Sequence, residues 1–391
     1  MSITVSGTDK RVAAIIAEYN PFHNGHKYHI EKTRSLGVDY VIAVMSGATV
    51  QRGDIAVFDK HFRAKTAIEG GVDLVIELPY PYSCSSAEDF AKGAVSIISR
   101  LGIVDCLSFG CESNDKDLLI RAADIAEALK DDVTVKNALS GGMSYPSAVS
   151  YAAEKLYGSK ISSLLDTPNN TLAIEYIRSL KNLNCDIGIL PVKRTGSAHD
   201  SQTPDGSIAS ASYIRKLIHS KADYSQYVPY EISDNAPADI NNMSNAILLS
   251  LSSCEKLSEM LSYDVYQRVQ AILKASDIET FDELVDSVKC KNLTRARISR
   301  ELLCAYINVL HGSSEPYEPY ARVLAFNEDG KQLIKNISSV GNIKISSSLT
   351  ELSDFSPSLC ALDNITSKLQ SLCSNGKLTN EFTRKFEGFI H

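Results

Sequence analysis

No apolar run in this 391-residue chain approaches the ~20 residues a membrane helix needs. Its opening, Met1-Ser-Ile-Thr-Val-Ser-Gly7, does not read as a secretory signal peptide. Nine cysteines are scattered without a Cys-x-x-Cys pair, which argues against a disulfide framework and for a reducing, cytoplasmic setting. The closest pair, Cys106 and Cys111, reads as small core residues near a strand. Internal repeats and long low-complexity tracts are also missing. Positive charge is in deficit: the net charge of −7 argues against indiscriminate nucleic-acid binding but leaves room for a local basic surface. The expected setting is therefore a cytoplasmic one, with no membrane and no DNA partner. What is present is an ordinary globular composition, 44% hydrophobic and 22% charged, on a chain long enough for two domains.

Continuous apolar runs recur at Val12–Ala17, Tyr40–Met45, Asp73–Leu78, Asp105–Phe109 and Asp186–Val192. Helical spacing fills intervals near 59–70, 85–101 and 171–183. Alternation of this kind predicts an α/β domain, a doubly wound parallel sheet with helices on both faces, over residues 1–230. Ligands of such sheets bind beyond the carboxyl ends of the strands. Past the acidic, proline-bearing stretch Val228–Pro237 the pattern turns helical, over 236–262, 264–275, 279–288 and 293–312. A mainly α-helical domain over 231–391 is expected, with 312–319 as a break and Arg322–Phe326 as a short strand or turn.

The first strand runs into Glu18-Tyr-Asn-Pro-Phe-His-Asn-Gly-His26, and a helical pattern runs out of it. A strand-to-helix junction presents free backbone N–H groups and a positive dipole end, which suits phosphate. Pro21 ends the strand. Gly25 permits close approach. His23 and His26, three apart, share a face of the first turn. They are the candidate catalytic pair, donating to phosphate oxygens as pyrophosphate leaves. As metal ligands they lack a third His, Glu or Cys at a supporting spacing, so no metal-ligand set is assigned. A satisfied structural role for either histidine is the alternative.

Further along, Ser210 or Ser212 caps a helix that carries Arg215 on its first turns. A hydroxyl, free N–H groups and a guanidinium suit a second phosphate clamp; an ordinary capped helix is the plain alternative. Arg52, Lys60 and Arg63 put three cations near the binding edge, either to steer an anion or as a solvated loop and helix face. Asn169 and Asn170 precede a helix, and Lys193-Arg194 ends the fifth strand. Lys289, Lys291, Arg295, Arg297 and Arg300 crowd a dozen residues of the second domain, as an RNA-backbone contact or as a solvated basic helix.

Taken together, Glu18 to His26, Ser46-Gly47, Val50-Gln-Arg-Gly53, Asp73–Pro79, Phe109-Gly110, Asn169-Asn170, Lys193-Arg194 and Tyr320–Leu324 resemble the bacterial tRNA(Met) cytidine acetate ligases of the HxGH nucleotidyltransferase superfamily. The second superfamily motif stands here as Ile208-Ala-Ser-Ala-Ser-Tyr-Ile-Arg215. The resemblance implies a Rossmann-like nucleotidyltransferase domain and a helical domain that holds tRNA. It implies activation of acetate by ATP as acetyl-adenylate, then transfer to the wobble cytidine of elongator tRNA(Met), with Mg²⁺ accompanying ATP. The family's ATP contacts fall on Ile15, Ile16, Ala17, Glu18, Tyr19, Asn20, Pro21, Phe22, His23, Asn24, Gly25, His26, Lys27 and Tyr28, on Gly110, on Asn170 in preference to Asn169, and on Arg194. Ala48, where asparagine is expected, and Gly196–His199 depart from the pattern. A small-molecule adenylyltransferase and a non-enzymatic ATP- or RNA-binding module are the competing readings.

Overall fold

Side chains along the first strand alternate between two buried faces. Val12, Ala14 and Ile16 join one core cluster, and Ala13 and Ile15 join another. Burial on both sides is what a continuous apolar strand requires. In the computed structural model, which describes residues 10–194, 204–232, 235–311, 318–374 and 376–391, the strands are β1 (Val12–Ala17), β2 (Tyr40–Ser46), β3 (Thr49–Val50), β4 (Asp54–Ile55), β5 (Leu74–Leu78), β6 (Cys106–Cys111), β7 (Gly188–Lys193), β8 (Ala321–Phe326) and β9 (Ile345–Ser346). The expected loop Gly196–His199 lies outside the described residues, as do residues 312–317 of the expected break.

Seven strands form one sheet in the order β7-β6-β1-β2-β5-β8-β9. β1, β2, β5, β6 and β7 are parallel, as the alternating pattern predicts. β8 is antiparallel to β5. The chain winds outward from β1 toward β5 and later, in the opposite direction, from β6 to β7. The reversal lies between β1 and β6, where doubly wound sheets open a crevice.

The helices in chain order are α1 (Asn24–Ser35), α2 (Lys60–Glu69), α3 (Ala87–Leu101), α4 (Lys116–Leu129), α5 (Val133–Ser140), α6 (Tyr145–Tyr157), α7 (Ser159–Leu165), α8 (Pro168–Asn182), α9 (Ala211–His219), α10 (Ser244–Ser253), α11 (Leu257–Met260), α12 (Tyr263–Ala275), α13 (Phe281–Val288), α14 (Arg295–His311), α15 (Glu328–Val340), α16 (Leu349–Ser353) and α17 (Pro357–Cys373). One sheet face is covered by apolar residues of α3, α4 and α8, the other by Ile30 of α1 and Ala64, Ala67 and Ile68 of α2. Helices α10 and α12 to α14 pack with α17 around their own core, which includes Ile247, Val265, Phe281 and Leu302. No described helix is long and apolar enough to cross a membrane.

Three differences from the sequence reading have physical causes. The apolar spacing over 236–262 belongs to separate pieces facing one core: α10 ends where Ser252 and Ser253 hydroxyls donate to the Leu249 carbonyl (3.0 and 2.6 Å), and α11 follows. Helices α4 to α7 fill a stretch that carried no assignment. A division at residue 230 cuts across the main sheet, because β8 and β9 come from the C-terminal part yet complete the edge beside β5.

A buried ion cluster joins that edge to the rest. Lys60, at the start of α2, donates to both Glu77 oxygens (2.8 and 3.1 Å) and to Asp363 of α17. Arg322 of β8 donates to Glu77 (3.3 Å), Asp363 (2.6 Å) and Glu381 (2.6 Å). All five side chains are at most 2% exposed. This corrects the reading of Lys60 as a steering or solvated cation. Arg63, one turn on, is likewise buried: it donates to the carbonyls of Phe58 (2.9 Å), Glu18 (2.7 Å) and Ser46 (3.0 Å), and to that of Gly47.

Glu381 is reached in addition by Arg384 (3.4 Å) and His61 (3.1 Å), whereas Glu77 and Asp363 share only Lys60 and Arg322 among the described residues. Burial, and then the Asp363 carboxylate, push Glu77 up to about 8. Lys60 and Arg322 hold Asp363 below the ordinary range despite its burial. Removing one cation from such a cluster leaves uncompensated charge, so Lys60→Met is expected to lower the unfolding free energy by about 3–5 kcal/mol in urea titration. Glu77 binds its proton more tightly when folded, so its contribution is complete below pH 4.5 and lost as pH rises to about 8. Glu77→Gln is expected to flatten the decline of stability across that window.

Candidate functional site

At the switch point a cavity of about 210 Å³ opens against the carboxyl ends of β1 and β6. Its walls carry the end of β1, the start of α1, Gly110, Arg194 and the Ile208–Ser212 segment with Arg215. The two motifs expected to act together therefore face one space.

The histidine junction is built by its own backbone. His23 caps α1: its Nδ1 accepts from the Gly25 N–H (3.1 Å), and His26 Nδ1 accepts from the His23 N–H (3.3 Å). An Nδ1 that accepts carries no proton, so the ring proton of each sits on Nε2 as a donor. The rings stack with centroids 3.7 Å apart, and the Tyr19 edge meets His26 at 4.9 Å. Burial, then the charges of His23 and Arg194, hold His26 well below the ordinary imidazole value. His29, one turn on, is held down to about 4 by burial and then Arg194. Gly25 is required sterically, since a Cβ would stand 2.9 Å from His23 Cε1.

Hydrogen bonds lock the second motif to the first. Asn24 Nδ2 donates to the Ser207 and Gln226 carbonyls (both 2.9 Å), and Arg215 donates to the Asn20 carbonyl (2.8 Å). Ser210 caps α9 by accepting the Tyr213 N–H (3.1 Å), and its hydroxyl meets that of Ser212 at 3.0 Å. Arg63, gripping the Glu18 carbonyl, fixes the loop from behind.

Within the stretch assigned from Ile15 to Tyr28, the wall is formed by Ile15, Ile16, Ala17, Glu18, Tyr19, Asn20, His23, Gly25, His26 and Tyr28. Pro21, Phe22, Asn24 and Lys27 are not on it. Phe22 is buried against Tyr19, and Gly70 lies so close that a Cβ there would stand 2.3 Å from its ring. Asn24 is a tether. The asparagine at the wall is Asn169 rather than Asn170. Asn170 accepts the N–H groups of Glu112 (3.0 Å) and Ser113 (3.3 Å) and donates to Thr167 (2.7 Å), so its amide is occupied within the fold. His29, Arg52, Lys193, Ser212 and the apolar group Phe90, Phe109, Leu172 and Tyr176 also line the space. His29 had a signal in its spacing, one turn of α1 beyond His26 on the same face. Ala48 is buried and off the wall.

The basic cluster is largely neutralised within the fold. Arg295 pairs with Asp282 and with Asp286 (2.9 Å), and Arg297 pairs with Glu301 (2.9 Å). Arg300 donates to the Gln51 carbonyl (3.1 Å). Lys289 and Lys291 are exposed. The cluster is therefore neither a uniform phosphate-facing stripe nor a wholly solvated helix.

The chain matches the family described as HIGH Nucleotidyl Transferase over residues 10–385. It is 37% identical over 367 residues to a tRNA(Met) cytidine acetate ligase of Thermoanaerobacter sp. (strain X514), covering 89% of this chain and 90% of that protein. A protein of the same name from Clostridium acetobutylicum is 35% identical over 392 residues, covering 92% and 95%. The structure of Thermotoga maritima TmcAL bound with alpha-thio ATP superposes with a TM-score of 0.84 at 27% identity, covering 97% of this chain and 99% of that one. Its apo form superposes with a TM-score of 0.85. With a doubly wound sheet, an HxGH junction at its switch point and these relatives along nearly its whole length, the chain belongs to the tRNA(Met) cytidine acetate ligase family of HIGH nucleotidyl transferases.

Proposed function

We propose that this protein activates acetate with ATP as acetyl-adenylate, releasing pyrophosphate, and transfers the acetyl group to N4 of the wobble cytidine of elongator tRNA(Met), releasing AMP. The observation that carries the reading is the pair of Nε2–H donors of His23 and His26 at a helix N-terminus, in one cavity with Ser210 and Arg215.

Acetate is already ionised at neutral pH, so the first half-reaction needs position and charge neutralisation more than a base. Neutral imidazoles donate hydrogen bonds to the α-phosphate region without competing for the proton. Arg194 and Arg215 supply fixed positive charge beside them, and Phe109, Leu172 and Tyr176 offer the base an apolar wall. Magnesium would arrive on the triphosphate and offset its charge. Glu18 is the acidic residue of the wall, a carboxylate donor of the kind that suits a magnesium ion carried mainly by phosphate oxygens. In the second half the weakly basic cytosine amine must reach the adenylate, which suits a base splayed from the anticodon loop. Lys289 and Lys291, exposed on the helical part, are its phosphate-facing cations. The setting is the cytoplasm.

Incubation with ATP, acetate and elongator tRNA(Met), followed by nucleoside mass analysis, is expected to yield N4-acetylcytidine that disappears when acetate is withheld. Pyrophosphate release driven by a small-molecule acceptor, with the tRNA unmodified, would overturn the reading. His26→Gln is expected to slow acetate-dependent ATP–pyrophosphate exchange by about 10²–10³-fold with a native circular dichroism spectrum. Near-normal exchange would make that histidine purely structural. Asn169→Ala is expected to raise the KM for ATP and, through loss of its hydrogen bond to the Glu112 carboxylate (2.6 Å), to lower the unfolding free energy by about 1 kcal/mol. Asn170→Ala, which removes the acceptor of the Glu112 and Ser113 N–H groups and the donor to Thr167, is expected instead to lower the unfolding free energy by about 1–2 kcal/mol.

A further inference from the structure

Beside the first cavity lies a second, of about 160 Å³, which shares Glu18, Asn20, Arg52 and Arg215 with it. Its remaining walls come from two parts of the chain: Val50, Gly53 and Asp54 from the β3–β4 hairpin, and Ile240, Phe281, Asp282, Arg295 and Ser299 from the helical part. The hairpin is held there tightly. A Cβ on Gly53 would stand 2.3 Å from the Arg300 backbone nitrogen, and Arg300 itself bonds the Gln51 carbonyl. The opposite wall is held by a relay: Asn241 Nδ2 donates to Asp282 (2.9 Å), and Asp282 pairs with Arg295.

The lining is mixed, three carboxylates against three guanidinium groups, over an apolar floor of Ile240 and Phe281. An anion such as acetate gains little from such balance. A neutral heterocycle with donors and acceptors on one edge gains most, and cytosine offers an N4 amine beside the acceptors N3 and O2. Uracil presents the opposite pattern at positions 3 and 4. Resting on the function proposed above, we propose that this second cavity receives the acceptor cytosine, with Arg295 donating to its N3/O2 edge and Asp54 taking the proton from N4. In that step the N4–carbonyl carbon bond forms, the carbonyl carbon–phosphate oxygen bond breaks with its electron pair leaving on AMP, and one N4 proton passes to the Asp54 carboxylate. Asp54 is placed for it: the Ile55 N–H bonds Oδ1 (2.7 Å), and Oδ2 has no hydrogen-bond partner among the described residues. Burial raises its carboxyl above the ordinary aspartate range, bringing it closer to the operating pH of a base. Asp282 is a positioning residue, acting through Arg295.

The test compares wild type, Asp54→Asn, Asp54→Glu and Arg295→Gln in two assays: acetate-dependent ATP–pyrophosphate exchange without tRNA, and acetyl transfer to elongator tRNA(Met). Asp54→Asn is expected to keep exchange within about threefold of wild type while transfer at saturating tRNA falls about 100-fold or more, and Asp54→Glu is expected to recover part of it. Arg295→Gln is expected to keep exchange and to raise the KM for tRNA about tenfold, whatever the fate of the Asp54 variants. Transfer by Asp54→Asn within about threefold of wild type removes the base assignment. Loss of exchange together with transfer places Asp54 in the adenylation half and overturns the proposal. A wild type that exchanges but never acetylates the tRNA overturns the function on which both rest.

Discussion

Burying Lys60 and Arg322 is the constraint that makes this chain one object. A charge taken out of water must find partners of opposite sign with good geometry, or the fold loses several kcal/mol. Here the partners lie far apart in sequence: Glu77 at the end of β5, Asp363 on α17 and Glu381 near the C-terminus. The cluster is complete only when the C-terminal segment has returned to the sheet. Its completion fixes the first turn of α2, and one turn later Arg63 grips the carbonyls of Glu18, Ser46 and Gly47. Those carbonyls terminate β1 and β2. Residues at the far end of the sequence thus hold the loop that aims His23 and His26.

That dependence explains what was legible beforehand and what was not. The β1–α1 junction was legible because its signals are local: an apolar run, a proline, a glycine and two histidines at helical spacing. The pairing of Asn24 with Ser207 was anticipated only as a coincidence of two phosphate motifs, since nothing local links residues 183 positions apart. Lys60 and Arg63 look solvent-facing in sequence for the same reason. Their neighbours in sequence mix Asp59 and His61 with Phe58, Phe62 and Ala64 and do not mark a buried face, while the groups that meet Lys60 come from as far as residue 381. Asn169 and Asn170 could not be separated from pattern, because adjacent helical positions point about 100° apart and which one faces the cavity depends on how α8 sits. Strand β8 was legible as an apolar run but not as an edge neighbour of β5, since antiparallel pairing over some 250 residues leaves no short-range mark.

The electrostatics of the cavity follow one logic. Fixed positive charge is supplied by Arg194, whose backbone N–H donates to the Cys111 carbonyl (3.0 Å), and by Arg215, which donates to the Asn20 carbonyl (2.8 Å). Burial and Arg194 hold His26 and His29 below the ordinary imidazole range, and the backbone bond to Nδ1 places the ring proton of neutral His26 on Nε2. In the proposed adenylation step ionised acetate attacks and no proton need move, so a hydrogen-bond donor serves there without being an acid. Neutral donors stabilise the developing charge and have nothing to release.

The β3–β4 hairpin carries this order across to the helical part. Gln51 accepts from Arg300 through its carbonyl and donates through its N–H to the Glu18 carboxylate (2.8 Å), so a single residue ties α14 to the loop after β1. Gly53, with φ of +80°, allows the turn to press against the α14 backbone where any side chain would collide. The helical part therefore does not hang from the sheet domain as an independent module. Its α13–α14 corner is built into the wall around the site, and any acceptor held on the helices is referenced to the nucleotide cavity through two or three hydrogen bonds rather than through a flexible linker. In the proposed reaction, whose adenylate is open to hydrolysis, such rigid referencing would shorten the interval between activation and capture.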